Sequence, residues 1–168
     1  MLKGQLVSLD SIRSSDAETL FEWINDPDLV RSNAPFSPVH YARHEDWMRS
    51  LSGRKDLALF AIRVGDDLVG SCQLFDIDPV HRSAELQIRI GKSTARARGY
   101  GTDAVKTLLR FAKEDLGLHT VWLRVFNNNQ AAIRCYEKAG MGVCGKLREA
   151  AFVGGNWLDI VVMHIVLG

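Results

Sequence analysis

Arg96-Ala97-Arg98-Gly99-Tyr100-Gly101-Thr102 is the stretch on which the reading of this chain turns. It lies between an alternating segment, Ser83 to Ile90, and an amphipathic one, Thr102 to Leu116. In the latter Val105, Leu108, Leu109, Ala112 and Leu116 form one helical stripe. Gly99 and Gly101 permit backbone conformations and close approaches that a side chain would block. Successive amide N–H groups can therefore converge on an anion at the helix start. Arg96 and Arg98 add permanent charges with bidentate reach to phosphate oxygens. Taken alone, the heptapeptide is equally a strand-to-helix turn with solvated arginines, so its surroundings must decide.

Gly117 stops the helix and Thr120 to Phe126 reads as the next strand. A strand, loop, helix, strand order implies a right-handed crossover between parallel strands, with the glycine loop at the carboxyl edge of the sheet, where ligands bind. Upstream, Glu85, Gln87 and Arg89 share one face of a strand and Ala84, Leu86, Ile88 and Ile90 the other. A carboxylate thus sits on the strand that feeds the loop. Leu57 to Ile62 and Leu68 to Phe75 flank Gly65-Asp66-Asp67 as a hairpin that Pro79 ends. Asn127-Asn128-Asn129 signals a turn and cap before a short helix that places Asn129, Ala132 and Tyr136 on one face. Cys144 to Ala150 and Trp157 to Val166 read as a closing hairpin around Gly154-Gly155-Asn156.

The first third of the chain is less regular. Leu6 to Leu9 reads as a strand, and Ser15-Asp16-Ala17-Glu18 as a capping box opening a helix that Asn25-Asp26-Pro27 stops. Ser37-Pro38 reads as N-cap and first turn of a helix carrying Tyr41, His44, Met48 and Leu51. Asp28 to Phe36 reads as a long mixed loop.

Composition narrows the class. At 168 residues, 46% apolar and 24% charged, the chain has the size and make-up of one soluble domain spanning residues 1–168. A net charge of +1 argues against a nucleic-acid binder, so a small-molecule partner is expected. No stretch approaches the roughly 18 apolar residues of a membrane span and no secretory leader is visible, so a cytoplasmic location is expected. Cys72, Cys135 and Cys144 show no CxxC spacing and read as free thiols. His40 and His44 have metal-ligand spacing, but Tyr41 stands where a zinc protease needs its glutamate, so no metal is expected.

Three phosphate motifs compete. Gly91-Lys92-Ser93 ends like a P-loop, but Leu86 stands where that loop needs its first glycine. Gly99-Tyr100-Gly101-Thr102-Asp103-Ala104 fits GxGxxA, yet Gly91 to Arg98 separate it from the strand, and no acid follows in Thr120 to Asn129 to hold a ribose. The third reading is Arg96-x-x-Gly99-x-Gly101, preceded by Ala84-Glu85-Leu86-Gln87-Ile88-Arg89-Ile90-Gly91 and followed by Asn129-x-x-Ala132-x-x-x-Tyr136-Glu137-Lys138-x-Gly140. This order and spacing resembles the Gcn5-related N-acetyltransferases. Leu147-Arg148-Glu149-Ala150 with Gly155 and Asp159 resembles the branch that includes the ribosomal-protein N-terminal acetyltransferases. The likeness covers residues 57 to 168 well and the first 56 loosely. Met141 stands where the family usually has phenylalanine, and Arg96-Ala97 where the branch often has an aromatic residue and glycine.

The resemblance implies an α/β (α+β) acyl-CoA N-acyltransferase fold, its central sheet mixed and mostly antiparallel, with a parallel pair of fourth and fifth strands. It implies acetyl-coenzyme A as cofactor and an amine as partner, attacked directly in a ternary complex. The amine is a protein N-terminus or, alternatively, an amino sugar, aminoglycoside or polyamine; near-neutral charge does not favour the polyamine. Glu85 would be the base, or a salt-bridged strand residue, and Tyr136 the acid that protonates the departing thiolate, or a core tyrosine. Cofactor contacts would come from Ile88, Arg89 and Ile90, from Arg96, Ala97, Arg98, Gly99, Tyr100, Gly101 and Thr102, and from Asn129, Ala132 and Tyr136. Trp23, Asn33, Gln87 and Trp157 would line the acceptor pocket, where a solvated surface is the alternative. A non-catalytic acyl-CoA-binding domain and a homodimer both stay open.

Overall fold

The computed structural model describes residues 1–168. Strands β1 (Leu2–Lys3) and β2 (Ser8–Asp10) lead into helices α1 (Ala17–Ile24), α2 (Pro27–Arg31) and α3 (Tyr41–Ser50). Strands β3 (Ala58–Val64), β4 (Asp67–Asp78) and β5 (Ser83–Ile90) follow. Helix α4 (Tyr100–Glu114), β6 (Thr120–Phe126), α5 (Gln130–Lys138), β7 (Gly142–Val153) and β8 (Asn156–Val166) complete the chain. The strands form one eight-stranded sheet in the order β1-β2-β3-β4-β5-β6-β8-β7. Every neighbouring pair is antiparallel except β5 and β6. This is the mixed sheet expected, its parallel pair counted one strand later because the two-residue β1 opens the sheet.

The parallel pair is short. Ser83, Ala84 and Glu85 pair with Thr120, Val121 and Trp122, and pairing ends there. Beyond that point β5 stays with β4 as far as Ile90, opposite Gly70, while β6 stays with β8 as far as Phe126, opposite Ile160. The strands therefore splay, and the β6-facing edge of β5 from Leu86 onward has no strand partner. Helix α4 crosses the sheet with Ala104, Val105, Leu108 and Ala112 fully buried against a core that includes Leu9, Ile62, Leu74, Leu123 and Met163.

The N-terminal third departs from expectation for local reasons. Helix α1 is opened by the Asp16 carboxylate accepting from the Arg13 amide at 2.7 Å, not by a Ser15–Glu18 box. Part of the expected loop is α2, capped by Asp26 accepting from Asp28 and Leu29, with Pro27 in its first turn. Ser37-Pro38 stays outside any helix, and α3 begins after His40. Asp16 also pairs with Arg63 of β3 at 2.7 Å, both side chains being buried, which nails the start of α1 to the sheet.

Removing one partner of a buried pair strands the other charge. Asp16→Ala is expected to lower unfolding stability in urea by about 3 kcal/mol, the low end for such pairs, because Asp10 remains 3.8 Å from Arg63 Nε. Joint replacement by Asp16→Leu and Arg63→Met should recover much of that loss.

Candidate functional site

Two cavities flank the splayed end of β5. The first, about 510 Å³, is roofed by Leu20 and Trp23 of α1, Val30 of α2 and His44 and Trp47 of α3, over a floor of Cys72, Gln73 and Gln87. The second, about 650 Å³, lies between the β5 edge, the 95–102 loop and α5, with Leu29, Ser32 and Asn33 on its third side. Ile88 and Arg89 line both.

The second cavity has the features of an anion seat. Gly99 has φ +81° and precedes the first turn of α4, a conformation that costs a side-chain-bearing residue energy. The first backbone bond into α4 runs from Asp103 N to Gly99 O, 3.0 Å, so the amides of Tyr100, Gly101 and Thr102 precede the helical ladder. They face the positive end of a 15-residue helix. Arg89, Arg96, Arg134 and Lys138 line this cavity against a single acid, Asp28. The unpaired β5 edge offers amide and carbonyl groups to an amide-bearing chain, as an added strand would use them.

Helix α4 is held in register by Asp103. Its carboxylate accepts from the amides of Gln5, Leu6 and Val7 at 3.1, 2.7 and 2.9 Å. Gly4 is required beside it, because a Cβ there would lie 2.3 Å from the carboxylate oxygen. Burial alone would raise the Asp103 pKa, but these three amides, with Lys106 nearby, outweigh it and hold the carboxyl below its ordinary range.

The expected site residues divide clearly. Ile88, Arg89, Ile90, Arg96, Ala97, Gly99, Tyr100, Gly101, Thr102, Asn129, Ala132 and Tyr136 all line the second cavity, whereas Arg98 does not. Tyr136 is 5% exposed, and burial, with the Cys135 thiol beside it, pushes its phenol up, so it keeps its proton at neutral pH. Burial likewise raises the Cys135 thiol, which is no ready nucleophile. Asn129 caps α5 through Ala132 N and donates to Ser32 O at 3.1 Å, which bridges α5 to the chain just after α2. Trp23 and Gln87 line the first cavity and Asn33 lines the second.

Glu85 and Trp157, like Arg98, lie apart from both cavities. Glu85 is 5% exposed and is gripped by Arg124, Nε to Oε1 at 2.8 Å and Nη2 to Oε2 at 3.3 Å. Because Glu85 pairs with Trp122 on the last rung of the parallel ladder, this ion pair straps the fork. Trp157 is 63% exposed at the β7–β8 turn and packs on Phe152. Sequence reasoning weighed His44 only as half of a metal-ligand pair, whereas it is buried between Phe21 and Trp47 with Nε2 2.9 Å from the Ala17 carbonyl. That reasoning missed Arg134 and Lys138, although a basic pair four apart on the helix after Asn129 was a readable signal.

The sequence family described as the acetyltransferase (GNAT) domain matches residues 7–142. This chain belongs to the GNAT acetyltransferase family. The spermidine N(1)-acetyltransferase of Vibrio cholerae is 32% identical over 100 residues, 60% of this GNAT chain and 57% of that enzyme's length. The L-methionine sulfoximine/L-methionine sulfone acetyltransferase of Pseudomonas aeruginosa is 23% identical over 141 residues, covering 84% of this chain and 65% of its own. A crystal structure of the Vibrio cholerae spermidine N-acetyltransferase with CoA and spermine superposes with a TM-score of 0.91 over 96% of each chain, at 23% identity, a likeness of fold. These relatives bear names of small-molecule acetyltransferases, not of the ribosomal-protein branch that the 147–159 region resembles.

The Asp103 clamp sets an acid limit. The carboxyl is held below the value of about 3.9 that it has in an unfolded chain, so the unfolded state binds the proton more readily. The clamp's stabilisation is complete above about pH 5 and drains away as pH falls through the folded value. Unfolding monitored by circular dichroism between pH 6 and pH 2.5 should show this loss in the wild type. Asp103→Asn should start less stable at pH 6 and lose less on acidification.

Proposed function

We propose that this protein transfers the acetyl group of acetyl-coenzyme A to the primary amine of a small molecule, by direct attack in a ternary complex. The observation that carries the reading is the meeting of the two cavities at Ile88 and Arg89, where β5 has left β6. A donor in one cavity and an acceptor in the other would touch there and nowhere else, which supplies the proximity that aminolysis of a thioester most needs. Comparison with spermidine and methionine sulfoximine acetyltransferases favours a small acceptor over a protein N-terminus. A polyamine and an amino acid derivative are the two classes that those relatives bring forward.

The second cavity fits acetyl-coenzyme A: Arg96, Arg134, Lys138 and a helix N-terminus for phosphates, and a bare strand edge for its amides. When bound, the cofactor supplies an acetyl thioester with a thiolate leaving group. The amides of Tyr100, Gly101 and Thr102, with Arg96, hold its charged end. Tyr136 holds a proton at Oη, in the same cavity, for the departing sulfur. For the proton leaving the acceptor ammonium, His44 has the better position. It lines the acceptor cavity, and donation from Nε2 to the Ala17 carbonyl leaves the Nδ1 lone pair available. Both Glu85 oxygens are engaged by Arg124, so a base role there would need a water relay.

Two measurements test this reading. Titration calorimetry should show micromolar acetyl-coenzyme A binding that is lost in Gly99→Glu, whose side chain would repel the phosphates; a folded wild-type protein that binds none ends the proposal. Thiol release with an amine panel should fall about 10² to 10⁴-fold in Tyr136→Phe, the usual worth of one positioned acid, with cofactor affinity unchanged. In the same assay, His44→Gln is expected to change the pH profile of kcat while Glu85→Gln leaves its shape alone; the reverse result returns the base role to Glu85.

A further inference from the structure

The acceptor cavity has a charge composition of its own. None of the side chains lining it is an aspartate or a glutamate, while Arg43 and Arg89 are both among them. An acceptor with several ammonium groups would bring positive charge into a partly apolar space that holds no anion, and unpaired charge is costly there.

Arg89 is the unusual member. It makes no ion pair or hydrogen bond through its side chain, and its Nε is buried without a partner. On β5 it shares a face with Gln87, which lines only the acceptor cavity, and so it projects to the acceptor side of the strand. Burial lowers its pKa, the direction that a missing counter-ion leaves uncorrected. A guanidinium has five donors in a fork that matches a carboxylate in two parallel bonds. Beside it, Gln73 donates to Gln87 at 2.7 Å, a bond that leaves the Gln73 carbonyl and the Gln87 amide NH2 unspent. The opposite walls, Leu20, Trp23, Val30 and Trp47, are apolar.

Resting on the acetyltransferase reading above, we propose that the acceptor is an amino-carboxylate with an apolar body, whose carboxylate pairs with Arg89 while its amine faces the junction of the two cavities. Arg43, at the exposed rim, adds a second positive charge on the entry side. This assigns Arg89 to acceptor selection, not to the cofactor, although it borders both cavities.

The test compares leucine and phenylalanine with leucinamide and phenylalaninamide, and with spermidine, as acceptors for the wild type, Arg89→Gln and Arg89→Lys. Acetyl-coenzyme A binding is measured calorimetrically for each protein. The expected result is a wild-type preference for the free acids over the amides of tenfold or more in kcat/KM, despite the less basic amine of the amides. Arg89→Gln should collapse that ratio to about one, through the acceptor KM, with Arg89→Lys intermediate and cofactor affinity unchanged in both variants. Retained cofactor binding also reports that the variants are folded. Turnover of spermidine or the amides with none of the free acids overturns the proposal, as does cofactor binding with no acid acetylated. Loss of cofactor affinity in Arg89→Gln with acceptor preference intact assigns the arginine to the cofactor and likewise overturns it. Absence of cofactor binding in the wild type instead removes the acetyltransferase reading beneath it. The wild-type ratio of acids to amides needs no variant to be read.

Discussion

The functional side of this protein depends on one interruption of pairing: β5 and β6 run together for three residues each and then part. Backbone N–H and C=O groups seek partners, and a parallel ladder continued to Ile90 would have spent those that face β6 between Leu86 and Ile90, the others being paired with β4. Parting keeps that edge available. It is not a local weakness, because each strand is held along its outer side, β5 by β4 and β6 by β8, past the point of separation. The Glu85–Arg124 pair, with the guanidinium lying 5.7 Å from the Trp122 ring centre, straps the fork one step into the opening. That guanidinium engages both oxygens of the buried carboxylate.

Around that opening the remaining elements act as walls fixed from behind. The start of α4 is tied to the β1–β2 turn by Asp103, and the start of α1 to β3 by the Asp16–Arg63 pair. Trp23 lies against Gly91, where a Cβ would come within 2.1 Å of the indole, so the wall of the first cavity rests on the backbone that leads into the glycine loop. The two halves of the site are thus positioned by contacts that are themselves buried.

The sheet, α4 and the loop that lines the second cavity were readable because each carries a strong local signal: alternation in β5, a stripe of apolar residues in α4, and glycine beside arginine in the loop. Helix α2 was not readable, since five residues carry no periodicity and Asp26 had already been spent as part of a stop signal. Ser37-Pro38 fitted a helix start, but the chain stays non-helical for two residues after it and α3 begins with no side-chain cap. Glu85, Gln87 and Arg89 share a strand face, yet alternation cannot say that Glu85 sits before the fork and the other two beyond it. Asn33 and Trp157 were placed in the acceptor pocket by resemblance in regions where loop geometry decides. The structure puts the first across from α5 and leaves the second on an exposed turn. The burial of His44 was not legible, because the Ala17 carbonyl that bonds it lies on α1, 27 residues away in sequence.

The walls of the two cavities come from different stretches of chain. Apart from the strand floor, the first is built from residues between Ile12 and Trp47, the second mainly from residues between Ile88 and Lys138. Only α2 and the turn after it serve both, with Val30 on one side and Leu29 on the other. A substitution along α1 or α3 would therefore reshape the first cavity and leave the walls of the second as they are, whereas one in α2 would be felt in both.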